Sequence, residues 1–124
     1  MLLDDMATFL TINGVQNVYK SAMPDEPNEA VCLYEYGGAG PHLTHTGIGY
    51  RNPALQAVVR AMDYQTARSR IETIYLLIAS LSNDQLGGTM VLDATPNQEP
   101  FPLGPVDSQG RIRLVCNFNL STGG

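Results

Sequence analysis

The chain is short of charge, of basic residues above all, and of cysteine. Only 15% of its 124 residues are charged, against roughly a quarter in ordinary soluble domains. That shortfall describes a folded protein whose surface is neutral enough to be covered in an assembly. Seven Lys and Arg face twelve Asp and Glu, for a net charge of −5. So few cations cannot neutralise a useful run of phosphates, which excludes a protein that grips nucleic acid by its backbone. An acidic wall past which a polyanion slides is still compatible with this balance. The two cysteines, Cys32 and Cys116, sit inside apolar runs and read as buried small hydrophobes of a reducing compartment. No apolar run approaches the ~18 residues that would span a bilayer, so no membrane is expected. MLLDDM puts two acids where a secretion signal would be basic, and the chain is expected to be made and folded in the cytoplasm.

With 44% hydrophobic residues, residues 1–124 are expected to form one domain with a single core. Leu2, Leu3, Met6, Phe9 and Leu10 mark one face of an N-terminal helix that Asn13-Gly14 ends. VQNVYKS (15–21) reads as a short strand and AVCLYEY (30–36) as a better one, separated by the proline-acid loop PDEPNE. ALQAVVRAM (54–62) alternates, with Leu55, Ala57, Val59 and Ala61 opposed to Gln56, Val58, Arg60 and Met62. Asp63 then caps the clearest element, DYQTARSRIETIYLLIASL, whose Tyr64, Ala67, Ile71, Ile74, Tyr75, Ile78 and Leu81 recur at threes and fours. Arg68, Arg70 and Glu72 fall on its outer, solvated side. SNDQLGG (82–88) is expected to end the helix as a turn, and TMVLDAT (89–95) to be a strand. After a loop with four prolines, RIRLVCNFNL (111–120) alternates without a break: Ile112, Leu114, Cys116, Phe118 and Leu120 against Arg111, Arg113, Val115, Asn117 and Asn119. The order α-β-β-β-α-β-β predicts an α+β fold, a mainly antiparallel sheet of about five strands with two helices packed on one face.

The stretch most like a site is GGAGPHLTHTGIGYRNP (37–53), with five glycines and two histidines. A phosphate cradle fails: Gly38 and Gly40 lack a third glycine at position 43, no helix is expected to follow, and no lysine lies between Glu35 and Tyr50. His42 and His45 could clip a metal, but zinc needs two further ligands that only the buried thiols could supply. Nucleophilic catalysis fails as well. No GxSxG occurs, the cysteines lie among apolar neighbours that raise a thiol pKa, and the paired acids are solvated. No enzyme and no cofactor are expected. A loop of about 17 residues between adjacent strands is far longer than a hairpin needs and reads as functional. Leu43, His45, Ile48 and Tyr50 are therefore candidate assembly-interface residues, joined by Phe101 and Leu103 of the second long loop.

Three segments carry a resemblance. PDEPNEAVCLYEYGG leads prolines and acids into an apolar strand and then two glycines. VVRAMDYQTARSRIETIYLLI runs a strand into a long helix. QEPFPLGPVDSQGRIRLVCNFNL carries a proline-rich loop into a closing strand. In order and spacing, over about residues 8–120, these resemble tailed-bacteriophage proteins known as minor capsid or tail completion proteins, similar to the tail terminators of long-tailed phages. The resemblance implies a virion protein at the head–tail interface: a homo-oligomeric ring, a hexamer, that caps the tail tube protein and offers a face to the head-side connector or stopper. DNA would pass through the ring without sequence-specific binding. Asp25, Glu26 and Glu29 are then candidate lumen-facing acids. Two other readings stay open: a neighbouring neck or head-completion component of the same particle, and a metal-binding protein that uses His42 and His45.

Overall fold

A computed structural model describes residues 2–44 and 47–123, with side chains outside 38–50. In chain order the elements are α1 (Leu2–Ile12), β1 (Val18–Lys20), β2 (Ala30–Thr44), β3 (Gly47–Ala61), α2 (Tyr64–Ala79), β4 (Ser82–Leu86), β5 (Thr89–Pro96), β6 (Phe101–Pro102) and β7 (Ile112–Gly123). They form one strongly curled sheet in the order β1-β2-β3-β7-β5-β4, with β6 also beside β7. The β1–β2 pair is parallel and the other pairs are antiparallel. The α+β expectation holds, with seven strands where about five were expected.

Alternation along the strands decides which face is dry. Val31 and Leu33 of β2, Leu55, Ala57, Val59 and Ala61 of β3, and Leu114, Cys116, Phe118 and Leu120 of β7 all point to one side. There they meet Met6 and Leu10 of α1 and Ala67, Ile71, Ile74 and Ile78 of α2. The Tyr75 ring lies 6.2 Å from that of Phe118, tilted by 44°. Asp63 caps α2 as expected, accepting the Thr66 backbone N–H at 3.0 Å. Tyr64 departs from the expected stripe: it sits in the first turn of α2 and is 48% exposed.

Helix α1 spans the curl, touching β1 and β2 near one edge of the sheet and β4 at the other. Two consecutive acids tie it down in both directions. Asp4 pairs with Lys20 of β1, and Asp5 accepts the Thr89 hydroxyl of β5 at 2.5 Å. That hydroxyl holds the Asp5 carboxyl below the usual carboxylate range.

SNDQLGG is not a plain turn. Ser82–Leu86 pairs with β5, closing at Leu86↔Thr89 around Gly87-Gly88. Two glycines between paired residues are a standard hairpin signal. The polar run Ser82–Gln85 concealed it, because those four side chains face solvent and only Leu86 is buried. Gly87 is doubly constrained, with φ of +55° and a position where an added Cβ would stand 2.6 Å from Asp5 Oδ1. Gly14 has φ of +92° but nothing within 4 Å of its Cβ position. Gly14→Ala should therefore cost only the backbone penalty, about 1 kcal/mol, and Gly87→Ala about 1–3 kcal/mol. Chemical denaturation of both variants checks this; equal losses would mean that Asp5 yields without consequence.

Candidate functional site

The face of the sheet away from the helices is divided in two. Its lower half, around Cys32, Val58 and Val115, is covered by the loops at 21–29 and 97–111. Two arginines hold this cover, each only 4% exposed: Arg60 and Arg111. Arg60 reaches the 21–29 loop through its carbonyls, donating to Pro27 O at 2.6 Å and to Asn28 O at 3.2 Å. Arg111 donates to Asp25 O at 2.5 Å and, through Nε, to Asp107 Oδ2 at 2.7 Å. A guanidinium is the one side chain with enough forked donors to serve several carbonyls at once. Asp107 also closes its own turn, accepting the backbone N–H groups of Gln109 and Arg111, each at 2.9 Å. The Arg111 backbone N–H, seconded by its guanidinium, holds the Asp107 carboxyl below its ordinary value. Alternation places Arg60 and Arg111 opposite the core residues, but nothing in the pattern marks them as buried.

The upper half of this face is bare and carries a ladder of uncharged hydrogen-bonding side chains, with the exposed Asp93 of β5 at its margin beside Asn119 and Ser121. Gln56 donates to Asn117 at 3.0 Å, Asn119 to Asn97 at 2.7 Å, Asn97 to the Tyr36 hydroxyl at 3.4 Å, and Ser121 to Asn52 at 3.3 Å. The ladder crosses β2, β3 and β7 and reaches the start of the 97–111 loop. Its trace in the sequence is the pair of asparagines in NFNL, on the outward side of the last strand.

The predicted interface residues are placed as follows. The 37–53 segment is not an extended loop, because β2 and β3 run through it as a hairpin, with pairs His42↔Tyr50 and Leu43↔Ile48. Register irregularities between Tyr36 and Leu43 explain why no alternation was visible. His45 lies outside the described residues, and the side chains of Leu43, Ile48 and Tyr50 outside the described side chains. Phe101 and Leu103 are half-buried and bound to β7: Phe101 pairs with Val115, and Leu103 N–H donates to Arg113 O at 2.9 Å. Hairpin arm and proline loop are thus separate features, and they meet at the base of the arm where Asn97 donates to the Tyr36 hydroxyl at 3.4 Å.

The three candidate acids also part company. Asp25 accepts Arg111 at 3.3 Å and Gln109 at 3.1 Å on the covered half of the sheet, yet remains 78% exposed. Glu29 stands 4.0 Å from Arg70 of α2, on the helix side. Glu26 is exposed. Arg68 and Arg70, expected to be merely solvated, stitch α2 to the chain on either side: Arg70 to Gln16 O at 2.5 Å and Arg68 to Pro100 O at 3.0 Å.

Chemistry is correspondingly thin. Both cysteines are free and buried, and burial pushes the Cys116 thiol up to about 12, which withholds the thiolate. Among the described residues no three His, Cys, Asp or Glu side chains gather as metal ligands. The glycines lead into a strand rather than a helix, so no helix N-terminus meets them. What the geometry offers is surface: an uncharged ladder, a hairpin arm and two clamped loops.

The model of a family described as bacteriophage tail terminator protein matches residues 3–122. A chain of a solved structure described as the virion of a native gene transfer agent particle superposes with a TM-score of 0.70 at 16% identity, covering 99% of this chain and 95% of that one. An identity that low speaks for the shared fold. No curated protein matches.

Two outcomes follow from the clamp. Arg60→Met should cost about 2 kcal/mol by stranding the loop carbonyls, and should open the 21–29 segment to protease; a variant as resistant as the parent would remove Arg60 from this role. Asp107, with its pKa lowered on folding, adds stability above its unfolded value of about 3.9, and that stability is lost as pH falls through its folded value. The gap between the parent and Asp107→Asn should therefore be full at neutral pH and shrink below about pH 4. Denaturation midpoints measured across that range check it, and a constant gap would mean that the charge is not what holds the turn.

Proposed function

The chain belongs to the bacteriophage tail terminator protein family and is a structural component of the virion tail, and on that premise we propose that it closes the head-proximal end of the tail tube as a ring. The ring is a homo-oligomer, a hexamer in the simplest arrangement. It stops tube growth on one face and meets the head-side connector or stopper on the other. DNA passes through its lumen without being held.

The observation that carries this reading is a family match over nearly the whole chain, 3–122. The residue-level features support it. A net charge of −5 disfavours retention of DNA. Asp25 and Glu26, exposed on the clamped 21–29 loop, are the acids available to a lumen, whereas Glu29 is drawn toward Arg70. The uncharged ladder suits a surface that meets protein, since amides supply hydrogen bonds without the desolvation cost of charges.

Light scattering on the purified protein, with and without tail tubes lacking their cap, tests the proposal. A ring in solution, or a monomer that binds one tube end and halts elongation, is the expected result. A monomer indifferent to tubes would overturn it and favour another neck component of the same particle.

A further inference from the structure

The two ends of the sheet are unequally protected. At one end β1 covers only Val31–Leu33 of a fifteen-residue β2. From Tyr34 to Thr44 no strand lies along the outer edge of β2 among the described residues, because its other neighbour, β3, occupies the inner edge. Residues 36–44 read YGGAGPHLT, with no Lys, Arg, Asp or Glu among them. Unpaired edges in soluble proteins are ordinarily blunted by charge, and a neutral one of this length recruits another strand. Two of the register irregularities place the extra residue in β2 itself, between Tyr36 and Ala39 and between Ala39 and His42, which bends the strand there without adding charge, and Pro41 removes one donor.

At the other end lies β4, which among the described residues pairs with β5 on one side only. Its Ser82–Gln85 side chains are exposed. Asn83, with φ of +55°, kinks the strand between the pairs Ser82↔Asp93 and Asp84↔Val91. This edge is short and kinked and does not recruit strands on its own. It can still complete a contact that a second strand initiates.

We propose that the outer edge of β2, residues 36–44, is the subunit contact, and that it takes β4 of a second copy of this chain by strand addition. The proposal rests on the ring reading given above and supplies its interface. Joining unlike edges is a head-to-tail contact, which repeats from copy to copy and closes into a ring where its rotation allows; pairing β2 with β2 would satisfy itself in a dimer and stop. Main-chain hydrogen bonds supply the affinity in strand addition. Beside the junction stands the ladder, with Tyr36 at the start of the proposed contact segment and 43% exposed, so the neighbour meets hydrogen-bonding side chains as well as backbone.

Hydrogen exchange on the full chain, as dilute subunit and as the assembled ring in solution or on tube ends, tests this. Amides in 36–44 and in 82–86 should slow together by at least about tenfold on assembly. Assembled rings in which 36–44 still exchanges at the subunit rate would overturn the edge contact and leave the ring reading standing. Protection of 36–44 without any change at 82–86 would replace β4 by another strand and so overturn the head-to-tail pairing. Absence of any assembly, in solution or on tubes, would fell the ring reading and this contact with it.

Discussion

A slip of one residue between β3 and β7 would turn this protein inside out. The two strands lie in the middle of the sheet and pair over Ala54–Ala61, with Ala57 against Cys116 and Val59 against Leu114. In that register both strands turn their aliphatic side chains to the helices, and both turn Gln56, Arg60, Arg113 and Asn117 the other way. Moving one strand by a single position would send Leu114 and Phe118 to the loops and Arg113 into the core. The buried arginine clamp, the amide ladder and the seat of α2 are all consequences of this one pairing. The clamp then adds its own constraint, since Arg60 on β3 and Arg111, just before β7, can reach the same loop only while β3 and β7 keep this pairing.

What was legible in the sequence is what depends on local periodicity. The stripe Ala67, Ile71, Ile74 and Ile78, the cap at Asp63 and the alternation from Ile112 to Leu120 each carry their signal within one element, and each formed as read. What was hidden depends on partners distant in the chain. Ser82–Leu86 has the composition of a loop and becomes a strand because β5 lies beside it. The glycine segment 37–44 has no alternation and becomes a strand because β3 continues past it. Arg68 and Arg70 looked like solvated charges, and Arg60 and Arg111 like the outward residues of alternating strands, yet each finds a backbone carbonyl. No window of sequence around an arginine tells whether such a carbonyl will be there. The site suffered most from this, since a surface made of strand edges and amides has no motif. What marks the family is instead the order of three long segments.

The use of cations joins the structure to the reading of function. Lys20, Arg60, Arg68, Arg70, Arg111 and Arg113 all donate to groups of the chain itself: Asp4, the 21–29 loop, Pro100, Gln16, Asp107 and Pro105. Of the seven Lys and Arg in the sequence, that leaves Arg51. A protein that grips phosphates presents mobile cations outward and counts them in its salt dependence. Here they are committed inward, most of them to carbonyls, where a forked donor is worth more than a mobile charge. The acids are less fully engaged, and Asp25 keeps most of its surface exposed even while it receives Arg111. A wall built this way offers a passing polyanion few places to bind and several that repel it. That is the electrostatic requirement the proposed ring would place on its lumen, since DNA would have to enter and leave it without being retained.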